Sequence, residues 1–407
     1  MAEGKSFIHI EDLKRKPVAE LEVEMVERKG KGHPDSLIDG ACEAVSRSLC
    51  MYYRQKFDTI LHHNVDKGVL VGGQSNPRFG GGEVVEPIYI LVAGRATSYV
   101  VRGGGVEQVP VGGIVISAVK GYLKSALRFL DTERHVIVDY RIKPGSTDLV
   151  SVFKEKGKVP LSNDTSIGVG FAPFTSTERL TLETERLLNS ERVKKELPEL
   201  GEDIKVMALR KGREVDLTVA VATVCHLIPD ASHYMSVMDE ARRRVEDLAS
   251  KITDFDVRVR VNAGDLYAKG SYYLTVTGTS AEAGDDGNTG RGNRPNGLIT
   301  PMREYSMEAT AGKNPVNHTG KIFNALAQRT AERIHKDVNG VKEVYVRLLS
   351  RIGAPIDRPQ VASVGLILDK DVSASSVKAD VEAIVNEELS RVTDLTNAIL
   401  SGSIDLF

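Results

Sequence analysis

Residues 27–40 read ERKGKGHPDSLIDG and set His33 and Asp35 just after a glycine-bracketed turn. Pro34 suits the first position of a helix that Leu37 and Ile38 continue. The free amides of a helix N-terminus favour anions. There His33 can donate to a leaving-group oxygen, and Asp35 can hold a magnesium ion carrying phosphates. The same residues read equally well as a capped helix start with a surface histidine. Residues 281–297, AEAGDDGNTGRGNRPNG, are denser in useful groups. Asp285 and Asp286 stand between glycines, with Arg291 and Arg294 close behind. Carboxylates hold a hard cation while arginines hold phosphate oxygens. The run fails EF-hand spacing, so it favours a metal–phosphate site over dedicated calcium binding.

A third segment, EATAGKNPVNHTGK at residues 308–321, offers Lys313, Asn317, His318 and Lys321 ahead of a helix. Alone it is an ordinary helix cap, and no Walker A motif occurs here or elsewhere in the chain. In DYRIKPGSTDL, residues 139–149, Lys143, Gly145 and Ser146 suit a phosphate or a turn equally. In PLSNDTSIGVGFAPFT, residues 160–175, Asp164 can receive an ammonium group or make an Asx turn. His62 and His63 would point to opposite faces of a strand, which is poor metal geometry. His226, His233 and His335 read as structural residues without partners. Neither a Gly-x-Ser-x-Gly elbow nor a cysteine nucleophile motif is present.

Elements of both kinds must carry these loops. β-branched runs predict strands at 22–26, 86–92, 136–140, 217–223, 257–261, 272–277 and 343–349. Apolar spacing of three and four predicts helices at 37–53, 114–129, 177–196, 234–251, 320–336 and 375–389. Thr177 is the expected cap of the third helix. Strands and helices are grouped, with strand pairs followed by a long helix about three times, so the fold class is α+β.

The 407 residues suffice for two to four domains' worth of core. Hydrophobic residues at 41% and charged residues at 27% exclude a mainly disordered chain. A formal net charge of −2 gives no global field for nucleic acid, and with no tryptophan and 5% aromatics stacking platforms for single strands are not expected. The first residues lack an apolar signal core, and no apolar run spans a bilayer. Three cysteines outside any CxxC pair suggest neither disulfides nor zinc. A reduced, cytoplasmic setting is expected.

Together GKGHPDS, LVGGQSNPRFGGG, IYILVAGRAT, GSTDLV, SNDTSIGVGFAPFT, GTSAEAGDDGNTGRGNRPNGLITPMR and EATAGKNPVNH resemble the archaeal type of S-adenosylmethionine synthetase. The resemblance runs from about Glu20 to the C-terminus. It implies synthesis of S-adenosylmethionine from ATP and L-methionine, then hydrolysis of the displaced tripolyphosphate. It also implies two magnesium ions, a potassium ion, three similar α+β domains around a pseudo-threefold axis, and active sites between the subunits of a homodimer. Domain limits are expected near 1–132, 133–264 and 265–407, with interleaving allowed. The resemblance implies His33, Arg291 and Lys313 as catalytic residues, and Asp35 and Asp285 as metal ligands. It implies Glu27 near ATP and Asp164 at the methionine amino group; Asp139, Lys143, Gly145, Ser146 and Arg294 are further expected around ATP, and Gln74 around methionine.

The chain departs from the bacterial and eukaryotic branch at Ser36, where that branch has lysine, and at Gly292, where lysine follows the arginine. Its last loop reads AGKNPVNHT instead of SGKDPxKVD. Arg294, Lys321 or Lys143 are the expected replacements for the missing positive charge. The Gly103 region is a candidate gating loop.

Overall fold

The computed structural model describes residues 7–102, 105–145 and 159–407. Three sheets with helices against them carry the fold, as the α+β expectation required. The first sheet orders strands Gly287–Asn288, His63–Val71, Ile88–Ala96 and Val136–Lys143. Helices Pro34–Phe57 and Val111–Ala126 pack on it. The second orders Asp256–Val261, Glu214–Val224, Leu200–Lys211 and Val23–Lys29, under helices Ser176–Leu188 and Ala231–Ile252. The third orders Ile8–Asp12, Val361–Leu368, Val341–Leu349 and Ile167–Ala172, under Thr319–Asp337 and Ala374–Ser390. Each sheet has its own apolar core and takes strands from distant parts of the chain.

Alternation explains why Glu214–Val224 is a strand. Val215, Leu217, Val219 and Val221 are buried, while Asp216, Thr218 and Ala220 between them are half-exposed. The third predicted helix is corrected at both ends. Its cap is Thr175, not Thr177: Thr175 Oγ1 accepts from Glu178 N at 3.0 Å, and Glu178 Oε2 accepts from Thr175 N at 2.8 Å. A capping box needs its glutamate three residues on, which only Thr175 has. The run also breaks at Ser190, whose Oγ accepts from Val193 N and starts the separate helix Glu191–Glu196. Residues 272–277 pair as strand only at Leu274–Thr275. Beyond these, the Glu282 carboxylate takes the amides of Val276 and Thr277, both at 2.6 Å, away from any ladder.

Two sheets leave apolar faces open. In the first, Val69 is registered with Leu91 and Leu91 with Asp139; Val71 faces Tyr89, and Tyr89 faces Ile137. Val69, Val71 and Ile137 on that face are 37%, 44% and 50% exposed. In the second, Met25 is registered with Leu209 and Glu27 with the exposed Met207. Lys29 and Lys205 end the same row of side chains. Buried ion pairs bind the units together: Arg303 holds Glu178 and Glu343, each at 2.7 Å. No helix among the described residues is long and apolar enough to cross a membrane.

Candidate active site

Strand Val23–Lys29 runs into the turn at Gly30 and Gly32, whose amides donate to Ile204 O at 2.8 Å and Glu202 O at 3.0 Å. A Cβ at either glycine would overlap that neighbouring backbone, so only glycine lets the turn lie flat on it. The chain then enters helix Pro34–Phe57 with His33 as N-cap. His33 Nδ1 accepts from Asp35 N at 3.1 Å, which leaves Nε2 as the N–H donor of a neutral ring. Burial pushes this imidazole down to about 4 against the pull of Asp35, so it is neutral at pH 7.

Asp35 is held from two directions. Its Oδ1 accepts from Asn288 N at 2.9 Å, and its Oδ2 pairs with Lys29 Nζ at 2.7 Å. Lys29 Nζ also donates to Arg291 O at 2.9 Å, tying the loop of residues 281–297 to the helix start. That loop touches the helix so closely that a Cβ at Gly287 would overlap the Pro34 carbonyl. Asp285 lies opposite: its Oδ2 is 2.9 Å from Ser280 Oγ, and Ser280 also bonds Asp203 Oδ2 through N at 2.9 Å and Oγ at 2.6 Å. Burial, aided by the negative charge of Asp285, pushes the Asp203 carboxyl up to about 6. Glu27 pairs with Lys205 at 3.1 Å beside them. Arg291 is exposed, and its guanidinium makes no hydrogen bond or ion pair among the described residues.

These residues fit a divalent cation shared with a substrate. Asp35 and Asp285 both act on the His33 ring, so their charges converge there. No group of three His, Cys, Asp or Glu that would hold a metal by itself exists among the described residues. Magnesium needs none: it keeps waters and takes one or two carboxylates plus phosphate oxygens. Each carboxylate retains lone pairs beyond the bonds above.

Lys313 stands in a second cluster. Its Nζ is 2.9 Å from Asp66 Oδ2 and 3.3 Å from Glu308 Oε2. Burial raises the Asp66 carboxyl, but Lys313 and Lys67 outweigh it and hold the group at about 2. His318 caps Thr319–Asp337 through Nδ1, and Lys321 is committed to Glu43 at 2.7 Å. Asp164 adjoins this cluster, since Asn163 N donates to Asn317 O at 3.1 Å. Its carboxylate accepts from Thr165 N at 2.8 Å and Ser166 Oγ at 3.0 Å, while Ser166 N donates to Ser350 Oγ at 2.8 Å, so the Asx turn that the sequence offered as one alternative does not form. The amide oxygens of Asn64, Asn163 and Asn317 are buried here without hydrogen-bond partners among the described residues. Asp35 and Glu43 lie eight residues apart on one helix, so about 12 Å separates the two clusters along it.

The remaining expected residues are dispersed. Gln74 is exposed at the start of strand Gln74–Arg78, just after Gly72 N binds Asp286 Oδ1 at 2.8 Å. Asp139 lies on the open face of the first sheet, bound to Tyr89, the Tyr140 amide and Arg141. Lys143 ends that strand, exposed, and Gly145 follows it. Ser146 lies outside the described residues, as do Gly103 and Gly104 of the expected gating loop. Arg294 turns inward and donates to Gly290 O at 2.6 Å and Gly292 O at 2.8 Å. Two histidines expected to lack partners have them: His233 Nε2 lies 2.8 Å from Glu199, and His335 Nδ1 lies 3.0 Å from Val341 O.

The chain matches the family of S-adenosylmethionine synthetase (AdoMet synthetase) over residues 6–403. The S-adenosylmethionine synthase of Aeropyrum pernix is 57% identical over 393 residues, covering 96% of this chain and 97% of the relative. The chain belongs to the S-adenosylmethionine synthetase family. The synthase of Sulfolobus acidocaldarius is 55% identical over 388 residues, covering 95% of this chain and 96% of the relative. An S-adenosylmethionine synthetase structure from Campylobacter jejuni shares the fold at a TM-score of 0.58 and 14% identity, covering 95% and 94% of the two chains. For this synthetase-family chain, sequence reading missed Lys29, Asp39, Asp203, Lys205 and Ser280. Asp39 was findable, because it falls one helical turn after Asp35. Asp203 and Lys205 were not, because only sheet pairing brings their strand to the site.

Proposed function

We propose that this chain makes S-adenosylmethionine from ATP and L-methionine, then hydrolyses the displaced tripolyphosphate to phosphate and diphosphate. The observation that carries this reading is a neutral His33 imidazole beside Asp35 and Asp285, with Arg291 exposed on the adjoining loop. Attack by a thioether lone pair on the ATP 5′ carbon releases no proton. No general base is required for that step, in keeping with the absence of any Ser, Cys or His triad motif. The chain's task is to align sulfur, carbon and leaving oxygen and to stabilise charge gathering on the polyphosphate.

His33 Nε2–H serves the leaving oxygen, and Arg291 and Lys313 hold polyphosphate oxygens. Glu27, Asp139, Lys143, Gly145 and Ser146 contact the nucleotide in this reading, and Asp164 and Gln74 the methionine. Magnesium ions bound at Asp35 and Asp285 would supply neutralising charge to the polyphosphate. Two such ions and one potassium ion complete the proposed set. The same clamp orients water for tripolyphosphate hydrolysis.

The working form is proposed to be a cytoplasmic homodimer joined through the open sheet faces. Exposed Val69, Val71 and Ile137 on the first sheet, and Met25 and Met207 on the second, support this, because open apolar faces mark association sites. Three interleaved units, one per sheet, form the proposed division of the chain, in place of contiguous blocks. The deciding assay supplies ATP, methionine and magnesium and analyses for S-adenosylmethionine, phosphate and diphosphate. Formation of ADP or AMP without a sulfonium product would overturn the reading in favour of a ligase or kinase.

A further inference from the structure

We propose that Asp39 and Arg294 are positioning residues that lock the peptide presenting Arg291, so that its guanidinium meets polyphosphate without reorganising. The inference rests on the function proposed above and adds two residues to it. Asp39 lies on helix Pro34–Phe57, 2% exposed, and its Oδ1 accepts from Gly290 N at 2.8 Å. Arg294 reaches back from the other side of the loop. Its Nη2 donates to Gly290 O at 2.6 Å and Gly292 O at 2.8 Å, and its Nη1 to Ser306 O at 3.5 Å.

Two further bonds close the frame: Arg291 N donates to Asn288 O at 3.2 Å, and Arg291 O accepts from Lys29 Nζ at 2.9 Å. Every backbone polar group of Gly290 and Arg291 is therefore held, as is the Gly292 carbonyl. Only the Arg291 side chain is left exposed and without a partner among the described residues. The tight fit allows little else, since a Cβ at Gly292 would stand 2.8 Å from Asp39 Oδ2.

Arg294 and Asp39 act on each other through opposite charge, which eases the burial of both. A loop this rich in glycine has many conformations when free. Fixing its backbone in advance removes the ordering cost from the reaction, and misplacement by about 1 Å can cost about 10²-fold in rate. Arg294 does this while its fork is committed to carbonyls. That assignment replaces the expectation that it contacts phosphate.

The test uses the full chain with Asp39→Ala, Asp39→Asn, Arg294→Met and Arg291→Ala, singly and with Arg291→Ala as background. Thermal melting first establishes that each variant is folded. Asp39→Ala and Arg294→Met should lower kcat for synthesis about 10- to 100-fold, with the methionine KM changed by less than about threefold. Asp39→Asn, which keeps an acceptor for Gly290 N, should recover most of the rate. In the Arg291→Ala background neither variant should lower kcat further by more than about twofold, because all act through one side chain. Hydrogen exchange of residues 288–294, measured without substrate, should speed up in Asp39→Ala and Arg294→Met but not in Arg291→Ala.

Undiminished losses in the Arg291→Ala background would overturn the proposal, as would unchanged exchange. Should the wild-type chain make no S-adenosylmethionine, the function reading falls, and the exchange measurement alone then decides the clamp. Should Asp39→Ala fail to fold, Arg294→Met alone carries the same rate and exchange comparisons.

Discussion

His33 commits Nδ1 to the Asp35 amide and is kept neutral by burial, so its remaining hydrogen-bond function is donation from Nε2. A neutral donor gains strength as charge develops on the oxygen it faces. His33→Ala is therefore expected to lower kcat for synthesis by about 10² or more while ATP affinity changes little. An unchanged turnover number would sink the assignment.

A second histidine makes a prediction about pH. His63 is fully buried, with Ser46 Oγ 2.8 Å from Nε2 and both Leu61 O and Asn314 Nδ2 3.1 Å from Nδ1. Burial pushes it down to about 3 from the ordinary 6.5. The unfolded chain thus binds a proton through this interval and the folded chain does not. The stabilisation from neutral His63 is complete above pH 6.5 and is lost as pH falls toward 3. His63→Gln should be less stable than wild type at pH 7. Between pH 6.5 and 4.5 the gap should narrow by up to about 1.4 kcal/mol per pH unit. Urea unfolding of both chains across that interval checks it. Taking the difference cancels Asp39 and Asp203, whose raised values of about 7 and 6 act in the opposite sense.

At the scale of elements, the contact that matters most joins a loop to a helix start. Gly287 lets residues 285–288 press on Pro34, which is how Asn288 N reaches Asp35. Gly287→Ala should push the loop off the helix and lower the rate of synthesis at least about tenfold, with a modest fall in melting temperature. Gly121→Ala is the control. No neighbouring atom would meet its added Cβ, and relief of glycine entropy in a helix stabilises by about 0.5–1 kcal/mol. Equal losses in both variants would argue against the steric account.

This contact also explains how much the sequence disclosed. His33, Asp35, Asp285 and Arg291 were legible because each sits in a short run whose glycines, proline and acids specify the local backbone. The helices were legible through apolar spacing. Strand Leu200–Lys211 was not, since apolar Met207 and Leu209 sit on its open face and Arg210 on its buried one, and its pairing with Val23–Lys29 spans nearly two hundred residues. The inward turn of Arg294 was hidden for a related reason. In sequence an arginine beside glycines looks like a ligand for phosphate, and only the folded loop shows two carbonyls in its fork.

At the scale of the whole molecule, the candidate groups form two clusters about 12 Å apart along helix Pro34–Phe57: His33 with Asp35 and Asp285 at its start, and Lys313 with Asp66 and Glu308 beside Glu43. Lys313 pairs with Asp66 and Glu308, which leaves its ammonium a third donor, and the buried amide oxygens of Asn64, Asn163 and Asn317 around it lack partners among the described residues. The arrangement to test joins two copies through the open sheet faces, with the His33 cluster of one protomer serving one site together with the Lys313 cluster of the other. This has a counting consequence. His33→Ala and Lys313→Gln should each abolish most activity alone. When the two chains are co-expressed with different tags, half of the dimers are mixed. A mixed dimer then carries both lesions in one site and none in the other, so equal mixtures should recover about a quarter of wild-type activity. If both clusters serve the same site from one chain, each site of a mixed dimer carries a lesion and nothing returns. Val71→Asp with Ile137→Asp supplies the companion test. Two charges on the open face should shift the chain to monomer in sedimentation and remove synthesis while the melting temperature is largely kept. A fully active monomer would exclude a site shared between subunits.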